Sequence, residues 1–208
     1  MSLSQEFCDF YTNWMDKADQ YNFNTLTGCF DKYFTLFVVY NRLYAEATFR
    51  LARQNRINLA NRTSFPDSQA ARSYVVQYIG SNQLISELEH DRDVNNAIEE
   101  IKNLIRDERF YIKLNMVSGN RQRDKDLDLL RRLNSRSQNR KAEAILETLY
   151  CIRCNMFHGH KGFSEIQSDL LRPAIIILRK MCEILFSKLE HDNSYQCAPP
   201  DRYSAGAP

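Results

Sequence analysis

The residues best suited to chemistry are concentrated in one segment, 149–161, which reads LYCIRCNMFHGHK. Arg153 and His158 lie within it, separated by four residues. An arginine guanidinium presents a planar set of N–H donors to an anion, and a histidine can give or accept a proton near neutral pH. The segment is therefore a candidate site that handles an anionic group by proton transfer.

Arg153 occupies an unusual position in the helix that we predict from about 137 to 158. At 100° per residue it projects into an apolar stripe of that helix, formed by Ala142, Ile145, Leu146, Leu149, Ile152 and Met156. A guanidinium in an apolar stripe is costly unless it is paired or used. Two interpretations remain open: Arg153 snorkels or pairs with a core carboxylate, or it is held in a cleft or subunit interface to receive an anion.

His158 falls in the last predicted turn of this helix, and Gly159 and Gly162 are expected to end it. The helix dipole favours cations there and should keep the imidazole protonated. The alternative is a histidine that only caps the helix. On an ideal helix, five residues correspond to about 140° of rotation. The two side chains should therefore diverge, unless the helix unwinds before Gly159 or two subunits share the site.

A zinc site is an alternative for the same helix. Cys151, Cys154 and His158 share one helical face, and Glu147 lies nearby. Zinc binds such ligands, but no second Cys-x2-Cys pair completes a closed shell, and Cys182 and His160 would be the additions. We therefore expect no metal and no other cofactor, and small half-buried cysteines.

The segment from Leu149 to Lys161 resembles the signature of the HEPN superfamily (higher eukaryotes and prokaryotes nucleotide-binding domains). That signature is an Arg, a polar residue, three further residues and a His, followed in many members by Gly, on a helix near the end of an all-α bundle. The resemblance extends to YNRLY at 40–44 and covers about 25–190. The family often has Asn, Asp or His after the Arg, where this chain has Cys154, so the supporting polar role falls to Asn155 or Cys154.

The resemblance implies a metal-independent endoribonuclease of toxin, phage-defence or RNA-processing type, with Arg153 and His158 as the catalytic pair. It implies a homodimer with a composite site, and an antitoxin or other regulatory partner. The RNA 2′-OH would be the nucleophile, giving a 2′,3′-cyclic phosphate and a 5′-hydroxyl. One alternative is a non-catalytic HEPN module that binds RNA, nucleotide or a partner protein. Another is a helical interaction protein in which the motif is a coincidence.

A basic stretch precedes the candidate helix. Residues 121–141 hold eight basic and three acidic residues, whereas the whole chain carries a net charge of only +2. The stretch is either a solvated surface or a patch that faces phosphates. If it faces phosphates, the expected RNA-binding residues here and beyond the motif are Arg131, Arg132, Arg140, His160 and Lys161.

Periodicity predicts helices over most of the chain. The first has its apolar face at Phe7, Phe10, Tyr11, Trp14, Met15 and Ala18. A long helix from about 25 to 54 has its face at Phe30, Phe34, Phe37, Val38, Asn41, Ala45, Thr48 and Ala52. Another begins at Pro66-Asp67 and is weakened at Gly80, and the next is capped by Asp93. A short helix presents Leu127, Leu130 and Leu133. The last runs from about 164 to 190, where Pro173 marks a kink or its true start.

One segment breaks the helical period. Phe110, Ile112, Leu114 and Met116 alternate, which predicts an extended segment or a minor hairpin that ends at 118–120. The expected architecture is an all-α, HEPN-like helical bundle formed by one domain, 1–190. It has a short extended and charged insert at about 109–136 and a flexible, disordered tail at 191–208.

Composition and cysteine content indicate the compartment. Six glycines and five prolines favour long helices over short strands. There is no apolar run of 18 residues and no basic region followed by an apolar run at the N-terminus, so we expect neither a membrane span nor a secretory signal. The six cysteines are then expected to be free thiols in a reducing cytoplasm.

Overall fold

The computed structural model describes residues 3–59, 63–115, 117–157 and 164–194. Those residues form helices and turns and no β-sheet, so the predicted all-α class is confirmed. The elements are α1 (Gln5–Asp19), α2 (Leu26–Arg53), α3 (Asp67–Gln69), a π-helical turn (Ala70–Tyr74), α4 (Val75–Ile79), α5 (Ser81–His90), α6 (Arg92–Arg106), α7 (Arg123–Leu133), α8 (Gln138–Phe157) and α9 (Gln167–Ser194).

The two longest helices, α2 and α9, form the centre of the bundle. Helix α1 packs on α2, α6 packs on α9, and α8 packs against α5, α7 and the π-helical turn. Buried tyrosines join these layers, since Tyr33 donates a hydrogen bond to the carbonyl of Leu149 at 2.6 Å and Tyr40 donates to that of Ala71 at 2.6 Å. The helices thus share one apolar core.

The buried face of α2 differs from the predicted one. The core side consists of Tyr33, Leu36, Phe37, Val39, Tyr40, Leu43, Tyr44, Ala47, Thr48 and Leu51. Phe37 and Thr48 are the members of the predicted face that are buried, whereas Val38 is 39% exposed. Because α2 is apolar around most of its circumference, periodicity could not select the side that packs.

The helix predicted after Pro66 is divided in two. Gly80 has φ +95° and ψ +127°, a conformation that is essentially restricted to glycine, and it separates α4 from α5. The prediction of one weakened helix was therefore wrong. The cap of α6 was also displaced, because Asp91, and not Asp93, accepts the N–H groups of Asp93 and Val94 at 3.2 Å each.

Helices α7 and α9 agree only in part with their predictions. The predicted short helix is present as α7, where the buried residues are Asp126, Leu129 and Leu133. Of the three predicted leucines, Leu133 is buried, Leu130 is partly buried against the core and Leu127 is 43% exposed. Helix α9 begins at Gln167, before Pro173, and continues to Ser194. The proline therefore does not mark the start, and residues 191–194, which were predicted to be flexible tail, belong to the helix. Residues 195–208 lie outside the described residues.

The irregular segment between α6 and α7 forms the predicted minor hairpin. Leu114 and Arg121 make an antiparallel bridge, and the Gln122 N–H donates to the Lys113 carbonyl at 2.9 Å. The Asn115 N–H donates to the Asn120 carbonyl at 2.8 Å, which closes the turn. This hairpin (112–115 and 117–122) lies beside α8, since the Asn155 amide donates to the Ile112 carbonyl and Lys113 contacts Glu147.

Two sequence expectations concern cysteines and membrane spans. The cysteines in the described part of the chain, Cys8, Cys29, Cys151, Cys154 and Cys182, are free thiols. Within the same part, none of the helices combines the length and apolarity that a membrane span needs.

Candidate functional site

Helix α8 is regular through Phe157 and buries five of the six residues of the predicted stripe, while Met156 is partly buried. Ala142, Ile145, Leu146, Leu149 and Ile152 are all at most 3% exposed. The helix therefore presents Arg153 in its last turns, as predicted. His158, Gly159, His160, Lys161 and Gly162 lie outside the described residues, so the site can be described from Arg153 toward the N-terminus.

The Arg153 side chain is half-buried, with 27% of it exposed. Its guanidinium carbon lies 5.7 Å from the centre of the Phe37 ring and 5.9 Å from that of Tyr150, within the range of cation–π attraction. Its Nη1 lies 4.0 Å from Cys154 Sγ. Burial opposes the charge, but Cys154 and Asp67 outweigh burial and raise the pKa of Arg153. Arg153 is thus a permanent cation in an aromatic setting.

Asp67 is the carboxylate beside Arg153. Its Oδ2 lies 3.9 Å from Arg153 Nη1, which is an ion pair at the limit of range. Tyr44 donates a hydrogen bond to Oδ1 at 2.5 Å and Tyr150 donates to Oδ2 at 2.9 Å. Burial raises the pKa of both tyrosines, so they remain donors. The sequence identified Asp67 only as a helix start, because 85 residues separate it from Arg153 along the chain.

Asn155 is 4% exposed and points to the hairpin. Its amide donates a hydrogen bond to the Ile112 carbonyl at 2.9 Å. The N–H groups of Ile112 and Lys113 are bound by Asp126 Oδ1 at 3.1 and 2.8 Å. Asn155 and Asp126 therefore hold the extended chain at Ile112 from both sides. Asn155 was expected to support catalysis, and the contact described here gives it a positioning role.

Glu147 lies six residues before Arg153 and forms ion pairs with three cations. Lys113 contacts its Oε1, while Arg132 and Arg72 lie 2.7 and 3.5 Å from its Oε2. The carboxylate is only 11% exposed. Burial alone would raise the pKa of Glu147, but hydrogen bonds from Arg132 and Lys113 outweigh burial and lower it to about 2. We call Glu147, Arg72, Lys113 and Arg132 the Glu147 cluster.

Of the basic residues predicted to bind RNA, the described ones, Arg131, Arg132 and Arg140, have different surroundings. Arg131 is 77% exposed and pairs with Asp128 at 3.2 Å, whereas Arg132 belongs to the Glu147 cluster. Arg140 is exposed in the first turn of α8. It precedes Arg153 by 13 residues, which is about 20 Å along a helix axis. Arg72 and Lys113 are cations near α8 that sequence reasoning missed, because only the fold brings them there.

The zinc alternative involved Cys151, Cys154 and Glu147. Over the described ranges, no group of three His, Cys, Asp or Glu residues is placed to hold a metal ion. Glu147 is already bound by cations, and Lys113 Nζ lies 3.3 Å from Cys151 Sγ. Burial raises the pKa of the Cys151 thiol, which disfavours the thiolate that zinc needs. The other residues of that hypothesis, His158 and His160, lie outside the described residues.

Comparisons with protein-family models, with curated proteins and with solved structures found no match to this chain. Membership of the HEPN superfamily therefore remains a hypothesis that rests on the motif and on the helical setting.

Proposed function

We propose that the protein is a metal-independent endoribonuclease of the HEPN type, with Arg153 and His158 as its catalytic residues. The observation that most supports this proposal is the setting of Arg153. It is a charged, half-buried guanidinium in the last turns of α8, five residues before a histidine. Phe37, Tyr150 and Asp67 restrain it, while 27% of the side chain stays exposed to a ligand.

The proposed chemistry needs two functions from the protein. A histidine removes the proton from the RNA 2′-OH or donates one to the leaving 5′-oxygen, and His158 is the residue to which we assign this role. Arg153 stabilises the additional negative charge on the phosphate oxygens in the transition state. The 2′-oxygen bonds to phosphorus and the bond to the 5′-oxygen breaks. The products are a 2′,3′-cyclic phosphate and a 5′-hydroxyl.

We further propose that two chains form the working site. Each chain contains one Arg-x4-His motif. Because an ideal helix separates these two side chains by about 140°, a two-fold arrangement can join the arginine of one subunit to the histidine of the other. A toxin, defence or RNA-processing role and an antitoxin or other regulator would fit such an enzyme, and we place it in the cytoplasm.

The test is RNA cleavage by the wild type, Arg153→Ala and His158→Ala. We expect each variant to lose cleavage by at least about 100-fold, since general acid–base catalysis and charge stabilisation each contribute about that much or more. Arg53→Ala and His90→Ala are matched controls, because Arg53 is 60% exposed on α2 and His90 is exposed at the end of α5. A 2′-deoxy substitution at the cleaved nucleotide should abolish the reaction, and cleavage of that substrate would refute the mechanism.

One observation favours a second candidate, the non-catalytic HEPN module. The neighbours of Arg153, namely Asp67 and two aromatic rings, could equally serve to stabilise the fold. In that case the wild type would bind RNA, nucleotide or a partner protein without cleaving RNA. Arg153→Ala would then lower the melting temperature, and no cleavage would exist to lose.

A further inference from the structure

Helix α8 faces the segment Asp67–Tyr74 along a single ridge of side chains. Glu147, Tyr150 and Arg153 follow one another at intervals of three residues, and each contacts this segment. Tyr150 and Arg153 contact Asp67, and Glu147 contacts Arg72. We call this seam the α3–α8 crevice. Its two ends, at Arg153 and at Glu147, are about 9 Å apart along the helix axis.

The Glu147 end of the crevice has more positive than negative charge. Arg72 comes from the π-helical turn, Lys113 from the hairpin and Arg132 from α7, and all three contact the single carboxylate of Glu147. Asp128 also pairs with Arg132, but it is shared with Arg131. Asp126 also attracts Lys113, so four cations (Arg72, Lys113, Arg131 and Arg132) face three carboxylates (Glu147, Asp128 and Asp126), and these described residues carry an excess of one positive charge. An excess of charge in a half-buried place favours the binding of an anion.

The arginines of the cluster are also accessible. The side chains of Arg72 and Arg132 are 30% and 27% exposed, and both approach the same oxygen of Glu147, at 3.5 and 2.7 Å. Their Nη1 atoms are consequently at most about 6.2 Å apart, while Nε and Nη2 of Arg72 donate to the carbonyl and hydroxyl of Ser68 at 2.9 Å each. Adjacent guanidinium groups are well suited to phosphate, because their planar N–H donors match its oxygen atoms.

We propose that the Glu147 cluster is a phosphate-binding subsite, which holds a phosphodiester of the RNA strand next to the one cleaved near Arg153. The inference rests on the proposed function for the identity of the strand. Arg72, Arg132 and Lys113 bind the phosphate, and the RNA backbone follows the α3–α8 crevice from this subsite to Arg153. Phosphate contacts of this kind fix the register of a strand without reading its sequence.

The competing explanation is that the cluster only locks the hairpin and α7 onto α8. In Glu147→Gln, three cations lose their shared partner in either case, and the fold is destabilised. A phosphate subsite further requires that inorganic phosphate can take the place of the carboxylate, and that a variant that keeps Glu147 but lacks Arg72 binds the RNA strand more weakly. The strand affinity separates the two explanations, because a purely structural cluster predicts no change in it.

The first experiment measures melting temperature in sodium phosphate and in sodium chloride of equal ionic strength. The matched control is Glu46→Gln, because Glu46 also pairs with two arginines, Arg50 and Arg53, at 2.9 Å each. At about ten times its Kd, phosphate should raise the melting temperature of Glu147→Gln by about 4 °C. It should leave the Glu46→Gln protein unchanged. An equal response of both variants would overturn the proposal.

The second experiment measures the affinity for a 2′-O-methyl oligoribonucleotide, which cannot be cleaved by 2′-OH attack. Arg72→Gln should bind about tenfold more weakly than the wild type, which corresponds to one lost charged contact. Arg53→Gln should bind like the wild type. The slope of log affinity against log salt should fall by about 0.7 in Arg72→Gln. Equal affinity of the two arginine variants would refute the subsite.

The outcomes separate this inference from the proposed function. If RNA is cleaved but Arg72→Gln binds as tightly as the wild type, the subsite is wrong and the ribonuclease stands. If no cleavage occurs while Arg72→Gln loses affinity, the subsite stands and the catalytic proposal is wrong. The affinity measurement also remains decisive if Glu147→Gln fails to fold.

Discussion

The side-chain amide of Asn155 donates a hydrogen bond to the main-chain carbonyl of Ile112 at 2.9 Å, across 43 residues of sequence. It joins the last turns of α8, where Arg153 lies, to the hairpin that supplies Lys113. The candidate motif is therefore coupled to the Glu147 cluster through one buried amide.

Asn155→Ala should lower the free energy of unfolding by about 1–3 kcal/mol, because it leaves the Ile112 carbonyl without the amide donor in a buried place. Urea denaturation measures the change. Asn134→Ala is the matched control, since the Asn134 amide also donates to a main-chain carbonyl, that of Leu130 at 2.9 Å, but in an exposed position. A loss in Asn155→Ala no larger than in Asn134→Ala would contradict the positioning role.

Acid should weaken the Glu147 cluster. The pKa of Glu147 is lowered to about 2 in the folded protein, from an ordinary value of about 4.3. Its contribution to stability, on the order of 3 kcal/mol, is therefore complete above about pH 5 and disappears as the pH falls to about 2. The difference in unfolding free energy between the wild type and Glu147→Gln should shrink over that range.

Comparing the unfolding free energies of the wild type and Glu147→Gln at each pH isolates the contribution of Glu147 from that of the other titrating groups. Burial raises the pKa of Asp126, so acid favours the folded state through that carboxyl, which is the opposite sign. Asp126 is present in both proteins, and its effect cancels. A difference that stays constant from pH 6 to pH 2 would show that Glu147 is not ionised within the cluster.

Gly80→Ala should destabilise the protein by about 1–3 kcal/mol. The cost is that of forcing a residue with a side chain into φ +95° and ψ +127°. Apart from Gly80 itself and its two chain neighbours, no atom lies within 4 Å of the added methyl group, so crowding by the rest of the fold does not add to the cost. Thermal and urea unfolding measure the loss, and Ser81→Ala is a control at the adjacent position. Unchanged stability would mean that the junction between α4 and α5 can adopt another conformation.

Mixing two inactive variants tests the shared site. If the arginine of one subunit works with the histidine of the other, a heterodimer of Arg153→Ala and His158→Ala retains one complete pair. Cleavage should therefore appear when the purified variants are mixed and allowed to exchange subunits. Each variant alone, taken through the same exchange step, gives the baseline rate of cleavage. A monomer in solution with full activity would exclude the two-chain site.

Local patterns in the sequence predicted most of the helices and the hairpin. They could not predict which residues from distant parts of the chain come into contact. Helices α1, α2 and α8 follow from apolar spacing, and the hairpin follows from the change to an alternating period. The buried face of α2 did not follow, since that helix is apolar around most of its surface. The cap at Asp91 was misplaced by two residues, because Asp91 and Asp93 are chemically equivalent and only the extended backbone of Asp91 distinguishes them.

The candidate site likewise contains one feature that the sequence predicted and others that it could not predict. The half-buried position of Arg153 was predictable from one helix, because the apolar residues on either side of it in the stripe define where it points. Asp67 and the Glu147 cluster were not predictable. Arg72, Lys113 and Arg132 come from three different elements, and nothing in the sequence near any one of them indicates that they share a carboxylate.

The π-helical turn at Ala70–Tyr74 has a consequence for how this chain can change over evolution. Such a turn contains one residue more than the α-helical turn it replaces. The turn absorbs that surplus, so Asp67, which faces Arg153, and the residues of α4, which enter the core, keep nearly the relative orientation that they would have on an ordinary helix. Deleting one residue within the turn would therefore restore an ordinary helix and leave Asp67 facing nearly the same way relative to α4. A homologous chain shortened by one residue at this place would keep both the bundle and the carboxylate beside the arginine.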